Sequence, residues 1–563
     1  MKTIILLVIC SVILLIVVRE SVNARRRRAD FANSLYAAWG EKPSLAYSEE
    51  KWIHIPSLYQ RYKETCEIDD ITWNDLGMDE IFKRINYSHS AAGEEYLYYL
   101  LRRGRSTEKE LECFEKLIEY FRTHEDERVQ LQLKMSELGY TGKYSLYDYM
   151  DHLDTLGKRS NKKYFFYDGL FVLFLCLFPF FTVQSIFLLT MLCVRQMICY
   201  LGEKKQIEPY LTSFSYLCRM IDVCRGLCDM EVMELTGEME KMKKSVSGLK
   251  GIKRGASLVF TITNSRTTSN PLEVLLDYFR MIFHIDLILF NRMVTFFRTH
   301  YGEIEQCLME MGRLETAASV CMFRASLKEG FCVPVHLSDQ EKSFRLLEGY
   351  HPLLTDPVKN SIETDGGILL TGSNASGKST FLKMVAINAL LSQTIHTCMA
   401  KAYEAPFFVI YSSMSLRDNL FGGESYYIVE IKALKRILDR IGQGREMVLC
   451  FVDEVLRGTN TVERIAASTE ILRSLTAKNA LCFAATHDIE LTDLLKREYR
   501  NYHFEEDFQN GDITFAYRLL AGKAAGRNAI RLLETIGYPE KVTEAAIRRA
   551  NVFVKTGSWE PEV

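Results

Sequence analysis

A glycine-rich segment in the last third of the chain has the composition and spacing of a phosphate-binding loop. It fits the pattern G-x-x-x-x-G-K-[ST] at every position. The glycines let backbone N–H groups turn toward phosphate oxygens, Lys378 can pair with β- and γ-phosphates, and the Ser379 hydroxyl can ligate Mg²⁺. The pattern predicts a site for ATP or GTP, whose residues are Gly372, Ser373, Asn374, Ala375, Ser376, Gly377, Lys378, Ser379 and Thr380.

Acidic and imidazole side chains follow two apolar runs further along the chain. The first run, residues 448–452, ends in Asp453 and Glu454. An aspartate at a strand end suits Mg²⁺ coordination, and the next glutamate can polarise an attacking water as general base. The second run ends at His487, which can sense a γ-phosphate through a hydrogen bond. We therefore assign catalytic roles to Glu454 and His487, and metal binding to Ser379 and Asp453.

A second glycine-containing segment, "NLFGGESYYIVEIKALKRIL", lies between these motifs. Gly422 and Gly423 free the backbone before a helical pattern that begins near Ser425, so Ser425 and the helix N terminus could bind another anion. Since the chain already has one phosphate loop, this second site suggests a nucleotide site completed across a dimer. The alternative is an ordinary glycine turn in which Ser425 caps the helix.

The elements around the motifs predict the fold that positions them. The apolar strand "GILLT" precedes the loop and the helical pattern "STFLKMVAINALLSQ" follows it. Strands that alternate with helical segments predict a parallel sheet wrapped by helices, here an α/β P-loop (ABC-type) ATPase domain over residues 338–563. Upstream, apolar residues recur at helical spacing and predict an all-α core or lever domain in 29–163, after a short linker, and in 202–337.

The N-terminal segment predicts a membrane anchor. Ile4 to Val18 is apolar except for Ser11, and a run of four arginines, 25–28, follows. Charge that follows an apolar run, rather than preceding it, favours a retained anchor with its N terminus outside and the rest of the chain in the cytoplasm. The segment Val22–Ala24 leaves a cleaved signal peptide as the alternative to an anchor over residues 1–28.

Residues 164–201 form a second apolar segment with basic residues on both sides. The segment is too long for one untilted span and short for two. It therefore predicts a transmembrane or re-entrant hairpin that turns near Pro179 to Ser185. A buried hairpin in a soluble core is the alternative. We expect a protein at the cell membrane, with the helical core and the ATPase domain on the cytoplasmic side.

The composition limits the nature of the partners. The 563 residues are enough for more than one domain, and the formal net charge is −2. There is no overall basic signature, so contact with nucleic acid would need a local patch such as residues 241–254, which could equally be a solvated face. The 15 cysteines are scattered without paired CxxC spacing, which favours reduced thiols over a zinc site or disulfides.

These motifs, in this order, resemble those of the MutS family of DNA mismatch repair ATPases. "GSNASGKST" is similar to the phosphate loop of that family, "GGESYYIVEIKALKRIL" to its signature segment, "FVDEVLRGTNT" to its Walker B segment and "ATHDIELT" to its His-switch segment. "GYHPLL" resembles the motif that opens the domain, and "YRLLAGKAAGRNAIRLLETIGYPEKVTEAA" its C-terminal helical dimerisation segment. The resemblance implies ATP and Mg²⁺ as cofactors, His351 in the nucleotide site, a homodimer through the ATPase domain, and DNA as partner.

The upstream part differs from that of mismatch-reading members, which carry an N-terminal domain with a Phe-x-Glu wedge. Residues 29–69 are too few for that domain, and Phe114-Glu115 lacks the wedge pattern. We expect an ATP-dependent DNA-binding protein of MutS type, a dimeric membrane-tethered ATPase that clamps DNA, with mismatched and branched DNA both open as clients. The alternative is a membrane-embedded ATP-driven switch that does not bind DNA. A transporter ATPase is disfavoured because no "LSGGQ" signature is present.

Overall fold

The computed structural model describes residues 2–141, 145–152, 157, 159–237, 239–249, 278–338, 341–373, 376–414, 426–456, 459–509, 512–524 and 529–559. The chain divides into two compact units. Unit 1 comprises Met1–Lys63, Ile85–Tyr99 and Cys113–Ser326, and unit 2 comprises Glu64–Arg84, Leu100–Glu112 and Leu327–Val563. Two short upstream segments therefore group with the C-terminal unit. The domain boundaries drawn from the sequence stay a prediction.

Helices make up the regular structure described before residue 327, in agreement with the expected all-α region. In the helix Glu108–Thr123, for example, the apolar residues recur on one face, which is buried in the core. In chain order the helices are α1 Lys2–Ala37, α2 Glu49–His54, α3 Ser57–Arg61, α4 Asp70–Leu76, α5 Met78–Ile85, α6 Ala91–Arg103, α7 Glu108–Thr123, α8 Glu125–Leu138, α9 Leu146–His152, α10 Lys162–Leu177, α11 Thr182–Leu227, α12 Val232–Thr236, α13 Met239–Gly248, α14 Ile285–Thr299 and α15 Tyr301–Ala325.

Helix α15 lies at the centre of unit 1. Residues 314–324 are buried on every face of the helix, which packs against α8, α11 and α13. Near its end, the guanidinium of Arg324 donates to both carboxylate oxygens of Glu115 on α7, at 2.6 and 2.7 Å. Glu115, which follows Phe114, is thus a structural ion-pair partner, and burying the charged Arg324 is tolerated because the pair is bidentate.

A buried carboxylate on α15 holds the start of α6. Glu315 accepts a hydrogen bond from the Ser90 hydroxyl at 2.5 Å and from the His89 N–H at 2.6 Å. We expect Glu315→Ala to lower the free energy of unfolding of unit 1 by about 3 kcal/mol, because two buried donors lose their acceptor and a cavity opens. Thermal unfolding measures the loss, and the exposed Glu240→Ala is the matched control. Equal midpoints for the two variants would contradict the capping role.

Helix α10 and the first part of α11 form a hairpin. The turn lies at residues 178–181, the early end of the range expected from the sequence, because Pro179 has no N–H with which to continue α10. Within the described part of the chain, the stretch Thr182–Lys205 alone is long and apolar enough to cross a membrane by length and composition. The N-terminal anchor falls in α1, but most side chains of residues 1–17 lie outside the described set, so the anchor stays a prediction.

Unit 2 contains the described strands, which form three sheets. In chain order they are β1 Val335–His336, β2 Phe344–Gly349, β3 Asn360–Thr364, β4 Gly367–Thr371, β5 Ala402–Ala405, β6 Val409–Ser413, β7 Val448–Asp453, β8 Ala480–Ala485, β9 Tyr499–His503, β10 Glu506–Gln509, β11 Asp512–Phe515 and β12 Leu520–Ala521. The sheet orders are β1-β5-β2-β3, β10-β11 and β12-β9-β4-β8-β7-β6. The later helices are α16 Lys378–Thr394, α17 Tyr426–Gly442, α18 Thr461–Ser474, α19 Glu490–Leu494, α20 Ala529–Ile536 and α21 Glu540–Thr556.

The largest sheet is parallel apart from its edge strand β12, as the alternation of strands and helices predicted. Strands β4, β7 and β8 are buried along their whole length, which explains why they are continuous apolar runs. Ala485 pairs with Asp453 on one side, and Leu370 pairs with Ala485 on the other. The segments that leave the carboxyl ends of these three strands therefore meet at one edge of the sheet.

Candidate functional site

The glycine-rich loop connects β4 to α16. Gly372 has a φ of +144° and Gly377 a φ of +105°, both in the region that favours glycine. A Cβ on Gly372 would lie 3.0 Å from the Phe504 carbonyl oxygen and 3.0 Å from Ser376 Oγ, so a larger residue would also be crowded. Asn374 and Ala375, predicted to hold phosphate, lie outside the described residues. The loop conformation explains the glycine at both ends of the motif.

The first residues of α16 point polar groups at the space beside the loop. The side chain of Lys378 is only 5% exposed, and its Nζ donates to the carbonyl oxygens of Gly372 at 2.8 Å and Ser373 at 2.6 Å. The Ser379 hydroxyl donates to a carboxylate oxygen of Asp453. A buried ammonium beside a glycine-rich loop is well suited to an anion, because it brings a full positive charge to the cavity.

Glu454 lies just beyond β7, which ends at Asp453. Its φ is +61° and that of Leu456 is +58°, a conformation that is strained for residues with a side chain. Backbone hydrogen bonds hold the turn, since the Glu454 N–H donates to the Ala485 carbonyl at 2.9 Å. The turn brings Glu454 Oε1 to 2.9 Å from His487 Nε2. Strain of this kind is concentrated at functional sites, and here it directs a carboxylate toward an imidazole.

One cavity of about 490 Å³ collects most of the residues that the sequence singled out. It is lined by residues from six separate segments of unit 2. The predicted residues in its wall are His351, Ser373, Ser376, Gly377, Lys378, Ser379, Thr380, Asp453, Glu454 and His487. Gly372, also predicted, is not in the wall, although its carbonyl oxygen accepts from Lys378. Ser425 falls in the segment 415–425, outside the described residues, and α17 begins at Tyr426.

His351 contributes an uncharged ring to the cavity. Burial, together with the nearby positive charge of Lys383, lowers the pKa of His351 to about 4. The ring is therefore neutral near pH 7, and its Nδ1 lies 3.3 Å from the Leu353 backbone nitrogen, which donates to it. A neutral imidazole can pack against a ligand or form a hydrogen bond with it, but it adds no charge for a phosphate.

Sequence reasoning missed a further part of the cavity wall. This part contains residues 354–358, Asn360, Phe504 and Tyr517. Asn360 ties its two halves together, because its amide donates to the Tyr517 carbonyl at 3.0 Å and its oxygen accepts from the Leu519 N–H at 2.8 Å. An apolar and aromatic surface of this kind can cover a flat ring. The Asp356-Pro357 dipeptide signals a turn in the sequence, but nothing in the sequence links it to Tyr517.

A second missed feature fixes the segment that carries His487. Arg464 on α18 donates from Nε and Nη2 to the two carboxylate oxygens of Asp488, at 3.0 and 2.6 Å. The Asp488 hydrogen bond raises the pKa of Arg464 further. The Asp488 N–H also donates to Thr486 Oγ1 at 3.0 Å. These bonds hold the backbone on both sides of His487, so that its ring stays beside Glu454.

The donor set fits a nucleoside triphosphate and a hard divalent cation. The ammonium of Lys378 and the helix N terminus offer positive charge to phosphates. Hydroxyl and carboxylate oxygens, here of Ser379 and Asp453, are the ligands that Mg²⁺ prefers. The Glu454–His487 pair adds a base beside this set. The arrangement can bind phosphate esters and activate a water molecule next to them.

Comparison with known proteins agrees with these motifs. Residues 368–553 match the family model described as MutS domain V. The DNA mismatch repair protein MutS of Thermus thermophilus is 33% identical over 207 residues, which cover 36% of this chain and 25% of that protein. For MutS of Lactobacillus johnsonii the identity is 23% over 364 residues, 57% of this chain and 42% of the relative. For MutS 2 of Haloarcula marismortui it is 32% over 180 residues, covering 31% and 19%.

The comparisons cover only part of this chain and part of each relative. The chain spans about a quarter of the length of the Thermus relative. The phosphate loop, Asp453, Glu454 and His487 all fall within the family match, whereas His351 lies before it. The comparisons therefore bear on the part of unit 2 that carries the cavity, and the longer match to the Lactobacillus protein extends beyond it.

Proposed function

Because the chain belongs to the MutS family, we propose that it is an ATP-dependent DNA-binding protein, a dimeric membrane-tethered ATPase that closes on DNA when ATP binds. The observation that carries this proposal is the single cavity in which Lys378, Ser379, Asp453, Glu454 and His487 meet. MutS family proteins are ATPases, and this chain has the side chains that the reaction requires. The relatives matched above are named as DNA mismatch repair proteins, which supports DNA as the partner.

ATP binding uses the loop and the start of α16. The loop amides and the Lys378 ammonium bind the β- and γ-phosphates, for which Lys378 exchanges its two carbonyl partners. Ser379 and Asp453 would hold Mg²⁺, which neutralises phosphate charge when bound. The apolar wall with Phe504 and Tyr517 covers the base. Each group thus has one task, and all of them lie within unit 2.

Hydrolysis relies on Glu454. Its carboxylate orients a water molecule and accepts a proton from it as the water oxygen attacks the γ-phosphorus. The bond from that phosphorus to the β–γ bridging oxygen breaks, which yields ADP and inorganic phosphate. His487 Nε2 lies 2.9 Å from Glu454 Oε1 and holds the carboxylate in position. The same ring can sense the γ-phosphate through a hydrogen bond. The Arg464–Asp488 pair positions His487 without touching the nucleotide.

The metal-binding role of Asp453 gives a direct prediction for the ATPase. We expect Asp453→Asn to raise the Mg²⁺ concentration for half-maximal ATPase activity by about tenfold or more, because an amide still accepts the Ser379 hydrogen bond but brings no negative charge. Phosphate release over a Mg²⁺ titration measures this shift. Asp439→Asn, at an exposed position on α17, is the matched control. An unchanged Mg²⁺ dependence would remove Asp453 from the metal site.

Pairing of two copies is supported by the C-terminal helices. Helices α20 and α21 pack against each other and leave large apolar side chains in solvent. These are Ile536, Tyr538, Val542, Ile547 and Trp559. An apolar surface of this kind is favoured for burial against another subunit. We propose a homodimer in which the segment around Ser425 completes the site of the partner.

The membrane part of the proposal rests on the exposed hairpin and on the N-terminal segment. The stretch Thr182–Lys205 is mostly unburied within the structure and has a mean hydropathy of 1.6. Arg25 to Arg28 are exposed on α1, next to the apolar start of the chain. We propose that the protein is located at the cell membrane, with the helical core and the ATPase domain on the cytoplasmic side.

A second candidate function is a membrane switch whose ATP cycle moves the hairpin without nucleic acid. The overall charge of −2 favours it, because proteins that bind DNA by charge usually present an excess of basic residues. The two candidates share the ATPase site and differ in whether DNA binds. A DNA-binding measurement therefore separates them.

A further inference from the structure

We propose that the hairpin of α10 and α11 inserts into a single leaflet of the bilayer. Its turn lies near the bilayer midplane, and its base, the lysine-containing end opposite the turn, lies at the headgroups. The occupant of this apolar surface is lipid, and the proposal rests on the membrane tethering proposed above. It decides between a hairpin that crosses both leaflets twice and one that turns back within the first leaflet.

The hairpin projects apolar side chains into the solvent. Phe180 in the turn is 79% exposed and Val183, at the start of α11, is 78% exposed. The other exposed large apolar residues of the hairpin are Phe165, Phe166, Val172, Leu173, Leu175, Phe178, Phe181, Ile186, Phe187, Leu188, Met191, Val194, Ile198 and Leu201. A surface this apolar requires a cover, because water contact with it is unfavourable.

Charged groups mark the depth at which the hairpin leaves the protein body. Asp168 on α10 contacts the buried His284, with its Oδ1 2.9 Å from His284 Nδ1. Arg195 on α11 stacks over the Tyr167 ring, 3.3 Å from its centre. The residues between these two positions, 169–194, contain no charged side chain. The base of the hairpin is therefore polar and fixed to unit 1, and the tip is free of charge.

The charge-free tip has the length of one leaflet. At 1.5 Å per residue, the part of α10 from 169 to 177 rises about 13 Å and the part of α11 from 182 to 194 rises about 20 Å. Half of the hydrocarbon core of a bilayer is about 15 Å thick, whereas a full crossing requires about 30 Å. A turn that reached the far headgroups would draw Asp168 and Arg195 into hydrocarbon, where a charged side chain is strongly unfavourable.

The base of the hairpin has the composition of a membrane interface. Lys162 and Lys205 are exposed there, and Lys204 lies over the Tyr200 ring, 5.1 Å from its centre. Lys163 is neutralised by Glu203, so it adds little. Lysines near the membrane surface are attracted to anionic headgroups. The lysines at the base of the hairpin therefore favour a leaflet that contains acidic lipids.

The uncharged polar groups of the tip are compatible with a lipid environment. The Thr190 hydroxyl donates to the Ile186 carbonyl at 2.8 Å, and Ser185 is buried in the hairpin. Gln184 is exposed near the turn and carries no charge. None of these groups requires the far headgroups as a partner.

Tryptophan depth measurements test this placement in the full-length protein. Phe180→Trp places a probe at the turn, and Met191→Trp places one about 14 Å further along α11. Each variant is reconstituted in vesicles that contain phosphatidylglycerol and lipids brominated either near the headgroup or near the chain end. The emission of the added tryptophan is obtained by subtracting the wild-type emission. Its quenching is then compared between the two brominated lipids. Val462→Trp, at an exposed position in unit 2, is the control for a probe outside the membrane.

The single-leaflet hairpin predicts a definite order of depths. Quenching by chain-end bromine should exceed quenching by headgroup bromine at position 180 by at least about twofold, and the order should reverse at position 191, because one leaflet is about 15 Å thick. A hairpin that crosses twice would give the opposite order, with position 191 deepest, and would overturn the proposal. No quenching at either position would show that the hairpin does not enter the bilayer and would also overturn the proposal, whatever the ATPase activity.

Discussion

Replacing Lys378 by alanine is expected to reduce ATP hydrolysis by at least about 10²–10³-fold, the loss typical for removal of one preorganised electrostatic contact to a reacting group. The physical reason is the environment of the side chain. Its ammonium is buried at the start of α16 and donates to two loop carbonyl oxygens, which carry only partial negative charge. Phosphate oxygens carry full negative charge, so the lysine contributes to nucleotide affinity as well as to the rate.

The measurement is steady-state phosphate release together with binding of a fluorescent ATP analogue. Lys435→Ala on α17 removes an exposed lysine from the same unit and should leave both quantities within about twofold of the wild type, since surface ion pairs contribute little. Thermal unfolding of both variants checks that the loop still folds. A Lys378→Ala protein that is folded and hydrolyses ATP at the wild-type rate would show that the nucleotide binds elsewhere.

Glu454→Gln is expected to separate binding from hydrolysis. The amide has the size of the carboxylate and can still contact His487, but it cannot accept a proton from water. Hydrolysis should therefore fall by about 10²–10⁴-fold, the usual contribution of a general base, while ATP affinity changes little. The variant should accumulate in the ATP-bound state, which makes it useful for trapping the closed form.

Single-turnover hydrolysis and nucleotide affinity, measured side by side, test this separation. Glu470→Gln changes an exposed glutamate on α18 and serves as the control for an acid-to-amide substitution in the same unit. Loss of affinity in proportion to the loss of rate would assign Glu454 to nucleotide binding instead. Unchanged hydrolysis would exclude Glu454 as the base.

Local patterns in the sequence predicted the elements that carry the chemistry. The apolar run before the phosphate loop is β4, the helical pattern after it is α16, and the carboxylates follow the buried strand β7. These features were predictable because each depends on neighbours in the chain: glycine conformations, helix periodicity and continuous burial. The parallel order of the strands then brought their ends together.

Contacts between distant segments were not predictable from such patterns. Asp75, far upstream, accepts hydrogen bonds from the Ser412 hydroxyl at 2.7 Å and from the Met414 N–H at 2.9 Å, which ties residues 64–84 to β6. The Asn360 link to Tyr517 and the neutral state of His351 also depend on tertiary packing. A single sequence does not report which separated residues share a buried site, so the second wall of the cavity emerged only from the structure.

The central claim is that ATP binding controls DNA binding, and DNA-binding measurements on the full-length protein in detergent test it most directly. Homoduplex, mismatched and branched DNA are titrated with and without ATP across a salt series, using Glu454→Gln to prolong the ATP state. The account predicts submicromolar binding that changes with ATP and weakens steeply with salt, as expected for contacts to phosphates. No binding at low salt, in a preparation that still hydrolyses ATP, would contradict the account and favour the membrane switch.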